Sequence, residues 1–281
     1  MTGDMRCDFA IQEPALAIAP VFLTLQKSRL PRRKLEVSSI FGNSVLRWYG
    51  PEVLGIPEQS LLLALLSIAG QQSFSIDPDN ANGVKGKLLK RLSCAGPLFN
   101  IAVVITTWRA VERAAGYSSH GGNNTASLIK SMERLAKTRI WERCDGIESE
   151  SQILSWIIGD DNSLIVALNR RNTDAMSGKH FIKISLEERR TLPDERARAL
   201  HAYLSGRIRS GSTRKLVFSS LQAHIWYGEA TGSTGRSREV MLRSAIHAID
   251  MLPDWRCVLL PSGHVEVRRI NNLSIKRGSD R

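Results

Sequence analysis

The sequence predicts an α+β protein built of two tandem winged helix-turn-helix domains. Three observations carry that expectation. The order helix, strand, helix, helix, strand, strand occurs twice along the chain, and it is the order of a winged helix whose second close-set helix enters the major groove. The length of 281 residues suits two domains of ordinary size. The formal charge is +12, from 39 Lys and Arg against 27 Asp and Glu, so a polyanion is the expected partner.

Hydrophobic residues make up 42% and charged residues 23% of the chain, which is globular composition. The longest apolar stretch, Leu61 to Gly70, is interrupted by Ser67 and falls short of the ~20 residues a spanning helix needs, so no membrane partner is expected. The N-terminus lacks a basic segment followed by an apolar run, and a cytoplasmic location is the expectation. Cys7, Cys94, Cys144 and Cys257 lie far apart, with no histidines at ligand spacing. They read as reduced thiols, and no metal or other cofactor is implied.

Residues 1–34 show no clear periodicity and finish in Lys27, Arg29, Arg32, Arg33 and Lys34. They predict a flexible basic arm, either a solvated tail or an arm lying on phosphates. The first winged-helix domain is expected over 35–175. It opens with a hairpin from Leu35 to Tyr49 around Gly42-Asn43 and a helix from Glu58 to Ala69 stopped at Gly70. A loop to Asn82 and a short basic helix over 84–93 follow. Ile101 to Ile105 is a β-branched run. Thr106 or Thr107 caps a helix from Trp108 to Ala115, which Gly116 ends. A second helix starts after Asn123-Asn124 and reaches about Lys137. Strands over 138–143, 153–158 and 164–168 follow, the last two joined by a turn over 159–162.

The second domain is expected over 176–270. A link through Ser185 leads to a helix-prone stretch at 186–191 and then to a helix opened by Pro193-Asp194 that ends near Gly211. Leu216 to Phe218 is a short strand. A helix capped by Ser219 or Ser220 reaches Tyr227, and a longer helix runs from Arg236 to Leu252, closed by Pro253. Strands over 256–260 and 264–270 flank Pro261-Ser262-Gly263, the expected wing tip, and a basic tail occupies 271–281.

At 100° per residue, Leu128, Ile129, Met132, Leu135 and Ala136 share one side of the helix ending at Lys137. The other side holds Asn123, Ser127, Lys130, Arg134 and Lys137, expected to meet DNA; on an isolated helix the same residues read as a solvated basic face. Arginine takes guanine O6 and N7 in bidentate fashion and asparagine does the same for adenine. In the second domain Met241, Leu242, Ala245, Ile246, Ile249 and Leu252 face inward, while Arg236, Val240, Arg243 and His247 face out. Val240 suits a thymine methyl and Arg243 a guanine. Arg238 projects toward the buried side, for a phosphate or an intradomain contact; His247 reads first as merely solvated. Arg268 and Arg269 past the wing tip, with Arg207, Arg209, Arg214 and Lys215, add phosphate attraction. The acidic loop 145–151, with Asp145, Glu148 and Glu150, is expected to avoid DNA, leaving the second domain the main grip.

Enzyme chemistry finds no footing. The string Gly83-Val84-Lys85-Gly86-Lys87-Leu88 is too short between its glycines for a P-loop and lacks the Ser/Thr that holds magnesium. The six histidines form no His-x-His pair for a nicking metal site, and Asp160-Asp161 and Glu187-Glu188 are adjacent carboxylates that point different ways.

The chain also resembles the RepC replication initiators of IncQ-type plasmids, from about Lys34 to about Ile270. The resemblance rests on Gly50-Pro51-Glu52-Val53-Leu54-Gly55, on Leu168-Asn169 through Lys183-Ile184-Ser185, on Ala199-Leu200-His201 through Leu204-Ser205-Gly206, and on Gly232-Ser233-Thr234. The family pattern is more basic at the start of the last recognition helix, where Glu239, Val240 and Met241 stand in this chain. The resemblance implies a non-enzymatic initiator that binds direct repeats, iterons, in double-stranded origin DNA. It also implies opening of an adjacent A·T-rich segment and recruitment of the plasmid's helicase and primase, and it leaves self-association open. Two rivals stand beside it. One is a winged-helix transcriptional regulator on an operator. The other is an RNA-associated basic protein, for which the signs are thin: aromatics are 6% of the chain, and Trp108, Trp141, Trp156 and Trp226 fall in predicted elements.

Overall fold

A computed structural model describes residues 8–25, 31–72, 75–76, 101–117, 121–226 and 231–271. The expected loop beyond Gln71, the basic helix at 84–93, the string at 83–88 and the tail lie wholly or largely outside the described residues. The chain divides into two compact units: residues 1–22 with 26–187, and residues 188–281 with Leu23–Leu25. It is a mixed helix-and-sheet protein.

The first unit contains β1 (Phe9–Gln12), α1 (Pro14–Ile18), β3 (Leu35–Phe41), β4 (Ser44–Gly50), β5 (Leu54–Gly55), α2 (Ile56–Gln72) and β6 (Ser75–Ile76); β2 (Phe22–Leu23) lies at the division between the units. Then come β7 (Ile101–Thr106), α3 (Trp108–Ala115), α4 (Gly122–Lys137), β8 (Arg139–Cys144), β9 (Ile147–Gln152), β10 (Leu154–Ile158), β11 (Leu164–Leu168), α5 (Arg170–Met176) and β12 (Ile182–Ser185). Its centre is α2. Leu61, Leu62, Leu63, Leu65 and Leu66 are all fully buried, as befits a helix apolar on every side, and α3, α4 and β7 pack around it. The helix continues past Gly70 to Gln72, because Gly70 keeps a helical backbone there rather than the left-handed conformation that stops a helix.

Two antiparallel four-stranded sheets complete the unit. One has the order β10-β11-β7-β6, with Val166 opposite Val104. The other has the order β3-β4-β8-β9, with Trp48 between Val37 and Ile140 and only 1% exposed. Thr107 Oγ1 accepts from the Ala110 N–H, and Gly116 at φ 88° ends α3 in the conformation that favours glycine.

Three expectations for this unit are corrected. Residues 8–25 are not a flexible arm: β1 pairs antiparallel with β12, and Ala10, Ala15, Leu16 and Val21 are core. The stretch 145–151 is not a loop. Only Asp145 and Gly146 turn, and β9 follows, its Glu148 opposite Arg143 and its Glu150 hydrogen-bonded by Tyr49 and ion-paired with Arg139. The division between units falls at Glu187–Glu188 rather than 175–176, because β12 belongs to β1.

The second unit takes α6 (Leu186–Thr191) from Glu188 onward, then α7 (Glu195–Arg207), β13 (Thr213–Val217), α8 (Phe218–Trp226), α9 (Gly232–Asp250), β14 (Trp255–Leu259) and β15 (His264–Arg269). Asp194 caps α7 by accepting from the Ala197 N–H at 2.9 Å. From α7, Ala199, Leu200, Tyr203 and Leu204 meet a core of Leu242, Ile246, Ile249, Trp255 and Val265. The antiparallel sheet has the order β13-β15-β14, and Gly263 at φ 74° turns the chain between its last two strands.

Beneath this sheet lies a buried polar knot. Glu188 accepts from His201 Nε2 at 2.8 Å and from the Trp255 indole N–H at 3.2 Å, and His201 is completely buried. Burial holds the His201 imidazole below its ordinary 6.5 in spite of the facing carboxylate, with Arg189 and Arg269 adding to the depression. Stability from a depressed histidine is complete above pH 6.5 and is lost as pH falls below it. The second unit is therefore expected to melt progressively earlier from pH 6.5 toward pH 4.5. Tryptophan fluorescence melts across that range check this, and His201→Gln flattens the dependence.

Candidate nucleic-acid interface

Each unit presents one long helix with an exposed polar side. On α4, Leu128, Met132 and Leu135 are buried, while Asn123, Ser127, Lys130 and Lys137 are exposed. Ser127 donates its hydroxyl to the Asn123 carbonyl at 2.9 Å, a bond within the helix's first turns. Glu133 is exposed on the same side, between the two lysines. The spacing of the sequence places it there, and it lowers the positive potential at the middle of the face.

Arg134 is not part of that face. Its guanidinium donates to Glu52 at 2.7 Å and to the buried Glu58 at 3.1 Å. Burial works against its charge, but the two carboxylates outweigh burial and raise its pKa. Arg134 is an internal clamp: helix period sets it between Asn123 and Ser127, but Glu52 and the buried Glu58 draw its guanidinium away from that face.

On α9, Arg236, Val240, Arg243 and His247 are exposed, with Val240 at 67%. Such exposure of a β-branched apolar side chain on a helix between arginines suits contact with a partner's apolar groups. Arg243 forms an (i, i+4) ion pair with Glu239 at 2.8 Å and lies over the Phe218 ring, its carbon 5.3 Å from the ring centroid. Exposed pairs of this kind contribute about 0–1 kcal/mol, so the guanidinium is readily exchanged to a stronger anion. Arg238 lies toward α8, over the Trp226 ring at 5.7 Å.

Strand alternation separates the two wing arginines. Val265, Val267 and Arg269 face inward; His264, Glu266 and Arg268 face out. Arg268 is exposed opposite Arg256 and Thr213. Arg269 instead lies over the buried Trp255 ring at 5.0 Å and donates to the Ile208 carbonyl, and burial lowers its pKa. Its expected role at phosphate is corrected to one inside the fold. Arg268→Ala is thus expected to reduce the salt dependence of DNA binding by about one unit of slope, and Arg269→Ala to leave the slope alone while lowering the melting temperature. Binding titrations over a salt series and thermal melts separate the two outcomes.

Among the described residues no group of three or more His, Cys, Asp or Glu side chains is placed to hold a metal ion, and no helix is long and apolar enough to cross a membrane.

Fold and surface together define a two-unit helix-and-sheet protein whose units each expose one polar, cation-bearing helix side. The chain belongs to the replication protein C (RepC) family, which it matches over residues 5–271. Its fold is similar to a crystal structure of selenomethionine derivatives of domains 2 and 3 of RctB. The TM-score is 0.54 at 12% identity, covering 90% of this chain and 99% of that one. A second crystal structure of RctB domains 2–3 gives a TM-score of 0.52 at 12% identity over 92% and 98% of the two chains. No curated protein matches.

Proposed function

We propose that this RepC-family protein is a plasmid replication initiator that binds direct repeats in its origin through two winged-helix units, without catalytic chemistry of its own. One observation carries the reading. In the second unit α7, β13, α8, α9, β14 and β15 follow one another with β13 paired to β15, an order and pairing that support the winged-helix reading with α9 as recognition helix, Arg236, Val240 and Arg243 outward. The element order of the first unit supports the same reading. Its α2, β7, α3, α4, β10 and β11 occur in that order with β7 paired to β11, and the β8–β9 hairpin is inserted after the recognition helix.

In this account α9 reads bases, Arg268 and neighbouring wing cations contact phosphate, and α4 adds Asn123, Ser127, Lys130 and Lys137. Phosphate contacts position the protein and base contacts specify the site. Two units on one chain raise the effective concentration of the second contact. Strain from several occupied repeats opens the adjacent A·T-rich DNA where deformation costs least, and the plasmid's helicase and primase load there in the cytoplasm.

DNase footprinting on the replicon's own origin tests the reading. A ladder of protections at the repeat spacing, with permanganate reactivity in the neighbouring A·T-rich segment, is expected. A single protected operator at a promoter, with no repeat ladder, would favour a transcriptional regulator instead.

A further inference from the structure

Glu58 sits in the first turn of α2 with no exposed surface. Its carboxylate gathers four donors from three stretches of chain. Oε1 accepts from the Ser131 hydroxyl at 3.0 Å and from Arg134 at 3.1 Å, both on α4. Oε2 accepts from the Gly55 backbone N–H at 2.6 Å and from Arg32 at 3.1 Å. Arg134 reaches on to Glu52, so two guanidiniums and two carboxylates balance within one cluster.

Burying a carboxylate among leucines is unfavourable unless it is neutralised and hydrogen-bonded, and here both conditions are met. The arrangement supplies direction. Apolar packing of Leu128, Met132 and Leu135 holds α4 against its neighbours but is non-directional and resists rolling about the helix axis only weakly. Ser131 and Arg134 lie three residues apart on α4, and both converge on a single oxygen, so hydrogen bonds to a charged acceptor fix the roll of the helix. The side of α4 carrying Asn123, Ser127, Lys130 and Lys137 is turned by the same rotation.

We propose that Glu58 is a positioning residue for DNA recognition: without touching DNA, it sets through Ser131 and Arg134 the roll at which α4 presents its outward side chains. The inference rests on the proposed function, in which α4 faces DNA. A misplacement of ~1 Å disrupts bidentate base contacts, whereas attraction to phosphate tolerates it. The signature is therefore lost discrimination at an unchanged salt slope.

The test uses the full chain and fluorescence anisotropy on two duplexes, one carrying the origin's direct repeats and one scrambled at equal composition, over a salt series. Wild type, Glu58→Gln, Glu52→Gln and Lys130→Ala are compared, with a thermal melt of each. Glutamine keeps the shape of Glu58 but puts an N–H₂ group where an oxygen accepted two donors. Glu58→Gln is expected to lower the ratio of repeat to scrambled affinity about tenfold at the wild-type slope. Glu52→Gln, at the partly exposed end of the clamp, is expected to lower that ratio two- to fivefold in a protein that melts like wild type. Lys130→Ala is expected to weaken both duplexes and flatten the slope by about one. An unchanged ratio in Glu52→Gln and in folded Glu58→Gln would overturn the proposal, leaving Glu58 a purely structural group. If Glu58→Gln does not fold, the ratio for Glu52→Gln decides alone. If Lys130→Ala alters neither duplex, α4 does not face DNA, and the inference falls with that reading.

Discussion

Replacing Arg236 and Arg243 together by glutamate is expected to weaken binding to origin-repeat DNA by 100-fold or more while leaving the thermal melt near wild type. Both side chains are exposed on α9, so nothing in the core depends on them. Each bidentate arginine–guanine contact contributes about 1–3 kcal/mol of discrimination, and reversal of charge adds repulsion from phosphate. The Glu239 ion pair supplies an internal control. Glu239→Ala frees the Arg243 guanidinium from its neighbour and is expected to raise affinity a few-fold. Anisotropy titrations at fixed salt measure both. A double glutamate variant that binds repeats like wild type would remove α9 from the interface.

Glu188→Ala is expected to cost about 3–5 kcal/mol of stability, measured by urea unfolding, and to be felt mainly in the second unit. The carboxylate is 8% exposed and receives the His201 and Trp255 N–H groups. Burial alone would raise its pKa, but the hydrogen bonds from His201 and Trp255 and the charge of Arg269 outweigh burial and hold it below the ordinary carboxylate range. Removal of one partner from a buried charged network leaves the others without compensation. The loss links to function, because Trp255 and Arg269 brace the sheet whose outward side carries Arg268. His201→Ala, which removes the imidazole from the same knot and leaves the Trp255 bond to Glu188, is expected to be milder.

Much of the second unit was legible in the sequence because its signals are local. Asp194 caps α7, Ser262-Gly263 turns the last hairpin, and β13 to β15 lie within sixty residues of one another, so helical and alternating patterns name each element directly. The first unit was harder because its pairings are distant. Phe9 to Gln12 find partners at Ile182 to Ser185, and nothing near the N-terminus announces them. The run Glu148-Ser149-Glu150-Ser151 lacks the apolar alternation of a strand. It forms one because Arg139 and Tyr49 stand across the sheet and meet the Glu150 carboxylate.

The candidate site divides in the same way. The outward positions of α9 follow from helix period alone. Arg134 stands about 40° round the helix from Lys130, within the arc of Asn123 and Ser127, and helix period cannot show that Glu52 and Glu58 wait there. Glu58 itself reads in the sequence as a first-turn acid on an apolar helix. Arg269 is legible in the sequence, because the period of two along β15 separates it from Arg268.

The central claim is sequence-specific binding to repeated origin DNA, and anisotropy of the wild-type protein on direct-repeat and scrambled duplexes over a salt series tests it most directly. Both affinities are expected to fall with salt through counterion release, while the repeats keep an advantage of about 10³ or more. Coincident curves at every salt concentration would contradict the account and leave the +12 charge as the mark of a general nucleic-acid binder.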